Sequence, residues 1–391
     1  MFKIKQIVTS MELSESLKEW LIYVLKKLVQ IPTENPPGKT EEIVNFLITE
    51  VFKDEEGFRN EIITHVKNNI TLHNLITKIG SGKKKIILSG HFDVVPAGDL
   101  SKWIHPPFSA KVIDGNLYGR GSADMKGGIV SLIGTLKILS EKKKFLENYE
   151  LIFLGTADEE AGMSGAVTLT DKGIINDAIL LIIGEPTNLS LGIAEKGVLW
   201  VKLKIYGKAA HGSMPEEGIN AIYGALRIVS QLESCLNTKI NPIFGTSSFN
   251  IGKIQGGNKI NVVPDFTSLE VDFRLNPEQS VEEIIENLKN IEIEPCTMDI
   301  EIINNLPALQ SSSSHPFIES LKKFSNTELI GLPYATDASK FISTKNPIPF
   351  VIYGPGNPNN VHKINESISL NQIFQATQFL TDALLDTYLS D

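Results

Sequence analysis

Seven residues of this 391-residue chain could do chemistry together: His91, Asp93, Asp124, Glu159, Glu160, Glu185 and His362. His91 and Asp93 close the run IILSGHFDVVP. Glu159 and Glu160 sit in TADEE directly after YELIFL, and Glu185 sits in GEPT directly after AILLII. Asp124 lies in GSADMKGG and His362 in NNVHKINE. Crowded carboxylates repel and raise one another's pKa, a conflict that a bound divalent cation removes. Imidazole nitrogen and carboxylate oxygen without cysteine suit zinc, cobalt or manganese. A ligand set this large exceeds one open tetrahedral zinc and suits two cations sharing a bridging carboxylate. His91 alone decides nothing. A capped strand-end histidine beside a turn-forming aspartate is the plain reading of LSGHFDVVP, and a ligand with its orienting residue is the sharp one.

The elements that must position these residues are legible as alternating patterns. Ser16-x-x-Glu19 resembles a capping box, and Trp20, Tyr23, Val24 and Leu28 continue at helical spacing until Pro32, Pro36, Pro37 and Gly38. A second helix is expected from Thr40 to about Phe52. Asn74–Ile79 and Lys85–Leu88 read as strands joined by GSGK in a hairpin turn, since the phosphate-loop spacing is absent. GGIVSLIGTLKIL reads as a buried helix, and YELIFL and AILLII as short apolar strands. Strands alternating with helices predict an α/β layer with a mixed, largely parallel sheet flanked by helices. Sites in such sheets lie beyond the carboxyl ends of the strands, where the acidic residues cluster. From Gly197 the pattern changes. VLWVKLKIY, Phe249–Ile254, Phe266–Leu275 and Thr297–Ile303 alternate apolar and polar around an amphipathic helix at Ile219–Leu236, predicting an inserted α+β unit. QSSSS at Gln310–Ser314 closes it, and helix–strand alternation resumes.

Composition excludes several function classes. Net charge is −9, which disfavours a nucleic-acid partner, and the Lys83–Lys85 and Lys142–Lys144 runs read as solvated turns and helix ends. Two cysteines, Cys235 and Cys296, give neither a disulfide framework nor a thiolate zinc site. No apolar run is long enough to cross a bilayer. MFKIKQIVTS is too polar for an export signal, so a cytoplasmic location is expected. His65 and His73 are expected to be solvated, His105 to belong to a turn, and Trp103 and Tyr118 to pack the loop carrying Asp124.

GHFDVVPAG, WIHPPFSAKVIDGNLYGRGSADMKGG, TADEEAG, IGEPT, GKAAHGSMP, GGNKINVVP and VHK occur in this order along almost the whole chain. Together they resemble the M20 family of di-zinc metallohydrolases, which includes acetylornithine deacetylase, succinyl-diaminopimelate desuccinylase, aminoacylase-1 and glutamate carboxypeptidase. The resemblance implies a zinc-peptidase-like catalytic domain over 1–196 and 309–391 and a lid and dimerisation domain over 197–308. It implies two zinc ions per subunit, with cobalt also compatible. His91 and Glu185 would hold one metal, Glu160 and His362 the other, and Asp124 would bridge them across a cis Asp124–Met125 bond. Asp93 would fix the His91 imidazole through its carboxylate. Glu159 would be the general base toward a water activated between the metals. His211 would donate to the oxyanion, with Asn261 a second residue reaching across a homodimer formed through the lid, and Arg274 would grip a substrate carboxylate.

Two departures bear on the substrate. Where succinyl-diaminopimelate desuccinylases carry an arginine in the strand entering the lid, this chain has Lys196, and a lysine cannot reproduce a guanidinium fork. YATDASKF replaces their GGTSDGRF-type segment, with Thr336 and Asp337 as candidate pocket residues. The expected activity is hydrolysis of an N-acyl amino acid or a short peptide with a free α-carboxylate; a carboxypeptidase or dipeptidase of the same family is the alternative. A catalytically dead binding module is disfavoured, because all five ligand positions and Glu159 are present.

Overall fold

A computed structural model describes residues 12–53, 57–343 and 346–389. The chain divides into two compact units. The first comprises Met1–Ile193, Ser311–Ile330 and Thr336–Asp391; the second comprises Ala194–Gln310 and Gly331–Ala335.

In the first unit, helices α1 (Glu15–Gln30) and α2 (Glu41–Phe46) lead into strands β1 (Arg59–Lys67), β2 (Ile70–Ile79) and β3 (Lys84–His91). Strands β4 (Lys111–Ile113) and β5 (Asn116–Tyr118) precede helices α3 (Gly127–Ser140) and α4 (Lys143–Asn148). Then come β6 (Tyr149–Thr156), α5 (Ser164–Asp171), β7 (Ala178–Ile183) and β8 (Leu191–Glu195). The second unit contributes β9 (Gly197–Tyr206), α6 (Ala221–Gln231), β10 (Ser248–Gly256), β11 (Phe266–Leu275), α7 (Val281–Lys289), β12 (Thr297–Leu306) and β13 (Leu309–Gln310). The chain returns through α8 (Pro316–Ser325), β14 (Leu329–Leu332), α9 (Ala338–Phe341), β15 (Phe350–Ile352), β16 (Ser367–Ser369) and α10 (Leu370–Tyr388).

The main sheet runs β1-β2-β6-β3-β7-β15-β8. Its centre is parallel: β3 pairs in parallel with both β6 and β7, and β15 pairs in parallel with β7. Its margins are antiparallel. This is the mixed, largely parallel α/β sheet expected. Strands covered on both faces need apolar side chains on both, and Leu151–Thr156 and Leu180–Ile183 are buried without interruption. Helix α3 is likewise buried along most of its length, packed against α1 and α10. Gly128 in its first turn is required by close approach. A Cβ there would stand 1.7 Å from the Gly184 carbonyl oxygen, so only glycine lets the helix that follows Asp124 touch the strand end that carries Glu185.

The second unit is an antiparallel sheet, β10-β11-β9-β12. Leu199, Val201, Leu203 and Ile205 point inward with Ala225 and Ile228 of α6 and Ile284 and Leu288 of α7. The alternate residues Trp200 and Tyr206 face solvent, as the period-two pattern requires. Among the described residues no helix is long and apolar enough to cross a membrane.

Three expectations are corrected, and one strand was not foreseen. β2 and β3 do not form a hairpin through GSGK, because β6 lies between them; the pairing is non-local and the turn residues could not reveal it. β1 is a strand over a segment that carried no strand expectation, and it forms the sheet margin. The cap of α1 is Ser14, whose hydroxyl accepts from the Leu17 N–H at 3.3 Å, rather than Ser16. His65 and His73 are half-buried rather than solvated, because β1 and β2 pack under α5 and α2.

Candidate metal centre

Five turns, all from the first unit, deliver the candidate ligands. His91 ends β3. The Phe92 N–H donates to Thr156 O at 2.8 Å, so the ends of β3 and β6 are tied together and His91 stands beside the TADEE turn. The His91 Nδ1–H donates to the backbone carbonyl of Asp93 at 2.9 Å. A carbonyl only accepts, which fixes the proton on Nδ1 and leaves the Nε2 lone pair free for a cation. The expectation that the Asp93 carboxylate orients this ring is corrected: its nearest oxygen lies 3.8 Å from Nδ1. That carboxylate instead accepts from the Glu159 N–H at 3.1 Å, the Glu160 N–H at 3.2 Å and the Asn35 amide at 2.8 Å. It holds the turn of Glu159 and Glu160, and Asp93 steadies the imidazole through its main chain.

Asp124 follows Gly121, which has a φ of +77°, and its bond to Met125 is cis. The turn is clamped by Glu366, which the sequence reading did not single out. One carboxylate oxygen accepts from the Arg120 guanidinium at 2.7 Å and the Gly121 N–H at 3.1 Å. The other accepts from the N–H groups of Ala123 at 2.9 Å and Asp124 at 3.2 Å. Glu366 lies four residues after His362, so one loop carries a candidate ligand and the clamp on the turn of another. Its only sequence signal is an acid in NNVHKINE, indistinguishable there from a solvated charge.

The geometry around Asp124 is two-sided. Oδ1 lies 3.2 Å from His91 Nε2, and Oδ2 lies 3.1 Å from His362 Nε2. Glu185 Oε1 approaches His91 Nε2 at 3.5 Å, and Glu160 Oε1 approaches His362 Nε2 at 3.1 Å. Ligand atoms of His91, Asp124 and Glu160 all lie within 4.8 Å of one another. Asp124, Glu160 and Glu185 are nearly buried and His362 is half exposed, so the group opens to solvent on one side.

The electrostatics test whether these residues suit a cation pair. Burial pushes the carboxyls of Glu159 and Glu185 well above their usual range and raises Glu160 too, each reinforced by neighbouring carboxylates. Burial would lower His91, but Glu185, Asp124 and Glu159 outweigh it and raise it well above normal. Hydrogen bonds to Asp124 and Glu160 carry His362 up to about 10. Burial pushes Asp124 up, yet the two histidines win and hold it low. The cluster thus demands positive charge between its groups, shared as protons or supplied by cations. The donor set of two imidazoles and three carboxylates fits a pair of divalent metals.

Thr336 and Asp337 are buried at the start of α9. Asp337 accepts from the Thr156 hydroxyl at 2.6 Å, and burial lifts its carboxyl to about 6. His211, Asn261 and Arg274 belong to the second unit. His211 and Asn261 are exposed; His211 Nδ1 bonds the Ser213 hydroxyl at 2.7 Å, and the Gly212 N–H donates to Asn261 O at 2.8 Å. Arg274 donates to Asp272 through Nε at 3.1 Å and Nη2 at 3.0 Å. Trp103 packs under the Arg120 guanidinium, 5.4 Å from its ring centre, beside the Asp124 turn.

Known proteins resemble this chain over most of its length. The family model described as Peptidase family M20/M25/M40 matches residues 87–386. A probable succinyl-diaminopimelate desuccinylase of Staphylococcus aureus (strain N315) is 32% identical over 410 residues, covering 95% of this chain and 98% of that protein. The crystal structure of aminopeptidase PepT from Bacillus cereus superposes with a TM-score of 0.77 at 23% identity, over 95% of this chain and 99% of that one. The YXEP protein of Bacillus subtilis, described as a dinuclear metal-binding peptidase, gives 0.73 at 17% identity, over 97% of this chain and all (100%) of that one.

Proposed function

The chain belongs to peptidase family M20/M25/M40, and from that membership we propose that it is a two-metal hydrolase cleaving the amide bond of an N-acyl amino acid. One observation carries the reading: each oxygen of Asp124 faces a different histidine, at 3.2 and 3.1 Å, and each histidine has its own glutamate. We assign His91 and Glu185 to one zinc, His362 and Glu160 to the other, and Asp124 to both; cobalt suits the same ligands. Bound there, the pair supplies Lewis acidity toward the amide carbonyl and acidifies a water.

The chain's own residues do the rest. Glu159, buried and raised in pKa, takes a proton from the attacking water and returns it to the leaving amine nitrogen. Asp93 holds the Glu159 and Glu160 amides, so base and ligand are set as one unit. From the second unit we assign His211 to the oxyanion, Asn261 to substrate binding and Arg274 to the substrate α-carboxylate, with a homodimer as the working form. The Staphylococcus aureus relative's name favours a succinyl group, whereas Lys196 in place of an arginine favours an acyl group without a second carboxylate.

The test is metal analysis and a substrate panel of acetyl, succinyl and aminoacyl derivatives of lysine, ornithine, diaminopimelate and methionine. Expected are two divalent ions per chain, loss of activity on chelation with recovery on zinc or cobalt, and loss of activity in Glu159→Ala with metal retained. Activity that survives Glu159→Ala refutes the mechanism. Cleavage of aminoacyl but no acyl derivatives replaces the deacylase reading with a peptidase one.

A further inference from the structure

Asn35 lies in the ENPPG turn after α1, far in sequence from every candidate ligand, and is buried. Its backbone N–H donates to Val94 O at 2.8 Å, which seats it beside Asp93. Its amide nitrogen spends both hydrogens on carboxylates: Asp93 Oδ2 at 2.8 Å and Asp158 Oδ1 at 3.0 Å. Both carboxylates are about 99% buried or more. Asp158 immediately precedes Glu159 and adopts a left-handed φ of +71°, a conformation that a non-glycine residue holds only when its surroundings fix it. Four donors meet its carboxylate: the Asn35 amide, the Lys67 ammonium at 2.6 Å, and Ser164 through its hydroxyl at 2.5 Å and its N–H at 3.4 Å.

These contacts close a ring. Asp93 accepts the Glu159 and Glu160 N–H groups and the Asn35 amide, and the same amide reaches back to Asp158 at the head of that turn. Lys67 balances Asp158 from the solvent side, but among the described residues only Asn35 donates to both buried acids. Without it, two buried carboxylates face each other with no shared donor, and a buried acceptor stripped of its partner is destabilising.

We propose that Asn35 is a positioning residue for the hydrolytic site: by joining Asp93 to Asp158 it sets the turn that presents Glu159 as base and Glu160 as ligand to the metal opposite His362. The metal part of this inference rests on the two-metal reading above; the turn-holding part does not.

The experiment is therefore double. In metal-free protein, amide exchange at Glu159 and Glu160 is compared between wild type and Asn35→Ala. In the same proteins, zinc and cobalt are titrated by calorimetry with cobalt absorption recorded. Expected are exchange at least about tenfold faster at those two amides with β9 unchanged, a first metal equivalent of unaltered affinity, and a second weakened about 10–100-fold with a changed cobalt spectrum. kcat falls while KM holds. Asn35→Ser, whose hydroxyl can serve only one of the two acids, carries the same expectation if the alanine variant does not fold. Wild-type exchange rates at both amides, or a second equivalent bound with wild-type affinity and spectrum, overturn the inference. If wild-type protein itself binds fewer than two ions, the two-metal reading fails, and the exchange comparison still decides whether Asn35 holds the turn.

Discussion

Replacing Glu366 by glutamine removes one negative charge and one acceptor from a side chain that is 1% exposed. Burial and the neighbouring Asp124 push this carboxyl up, and Arg120 and the backbone donors pull it down. The balance is upward, yet four N–H donors converge on its two oxygens, two on each, and favour the charged form. In Glu366→Gln one end of the head group becomes an NH2 facing two donors. Either the Ala123 and Asp124 N–H groups or Arg120 and Gly121 then lose their acceptor. Hydrogen bonds to a charged group contribute about 1.5–3 kcal/mol each, and breaking a buried ion pair on one side costs roughly 3–5 kcal/mol. The buried Arg120 makes the larger figure the relevant one, so a loss of about 3–5 kcal/mol is expected in guanidinium denaturation of the metal-free protein. Because the donors belong to the turn of Asp124, affinity for both metal equivalents should fall together, unlike the selective loss expected at Asn35. A variant within about 1 kcal/mol of wild type, binding both ions normally, would show that the Asp124 turn is held by something other than this clamp.

Three further outcomes follow from the same contacts. Gly128→Ala drives a methyl into the Gly184 carbonyl, so the variant should lose thermal stability and metal content together; a wild-type melting curve refutes the close approach. Asp337 has a folded pKa of about 6, raised by burial, so its contribution is fully favourable below the unfolded value and is lost as pH rises through 6. Metal-free Asp337→Asn should therefore gain on wild type by up to about 3 kcal/mol between pH 4 and pH 7, and an equal difference at both pH values refutes this. Cys235 and Cys296 are both buried, so a thiol reagent should find neither in the native protein and both after denaturation.

The strand ends were legible because parallel strands buried on both faces leave no doubt about where apolar residues stop, and Glu159, Glu160 and Glu185 begin where they do. The antiparallel unit was legible through the period-two alternation in β9, β11 and β12. The sheet order was not, because inserting β6 between β2 and β3 depends on contacts between distant segments. Ser14 and Ser16 offer the same cap chemistry two residues apart, and only the backbone chooses. Asn35 and Glu366 were invisible for a different reason. Each acts on the backbone of a turn far away in sequence, and neither polar residue differs in type from an exposed one. Asp93 was found with the wrong part assigned, since type and spacing cannot say whether a carbonyl or a carboxylate meets the ring.

The second unit interrupts the first between β8 and α8, and His362 comes after both. During translation the antiparallel unit is almost wholly synthesised while the main sheet still lacks β15. Domains fold as units as they emerge, so a ribosome paused before β15 would display a nearly complete second unit and a main sheet that lacks that one strand. That nascent chain would hold Asp124 with one histidine partner and without the Glu366 clamp, and hydrolytic competence would arrive only in the final stretch of synthesis.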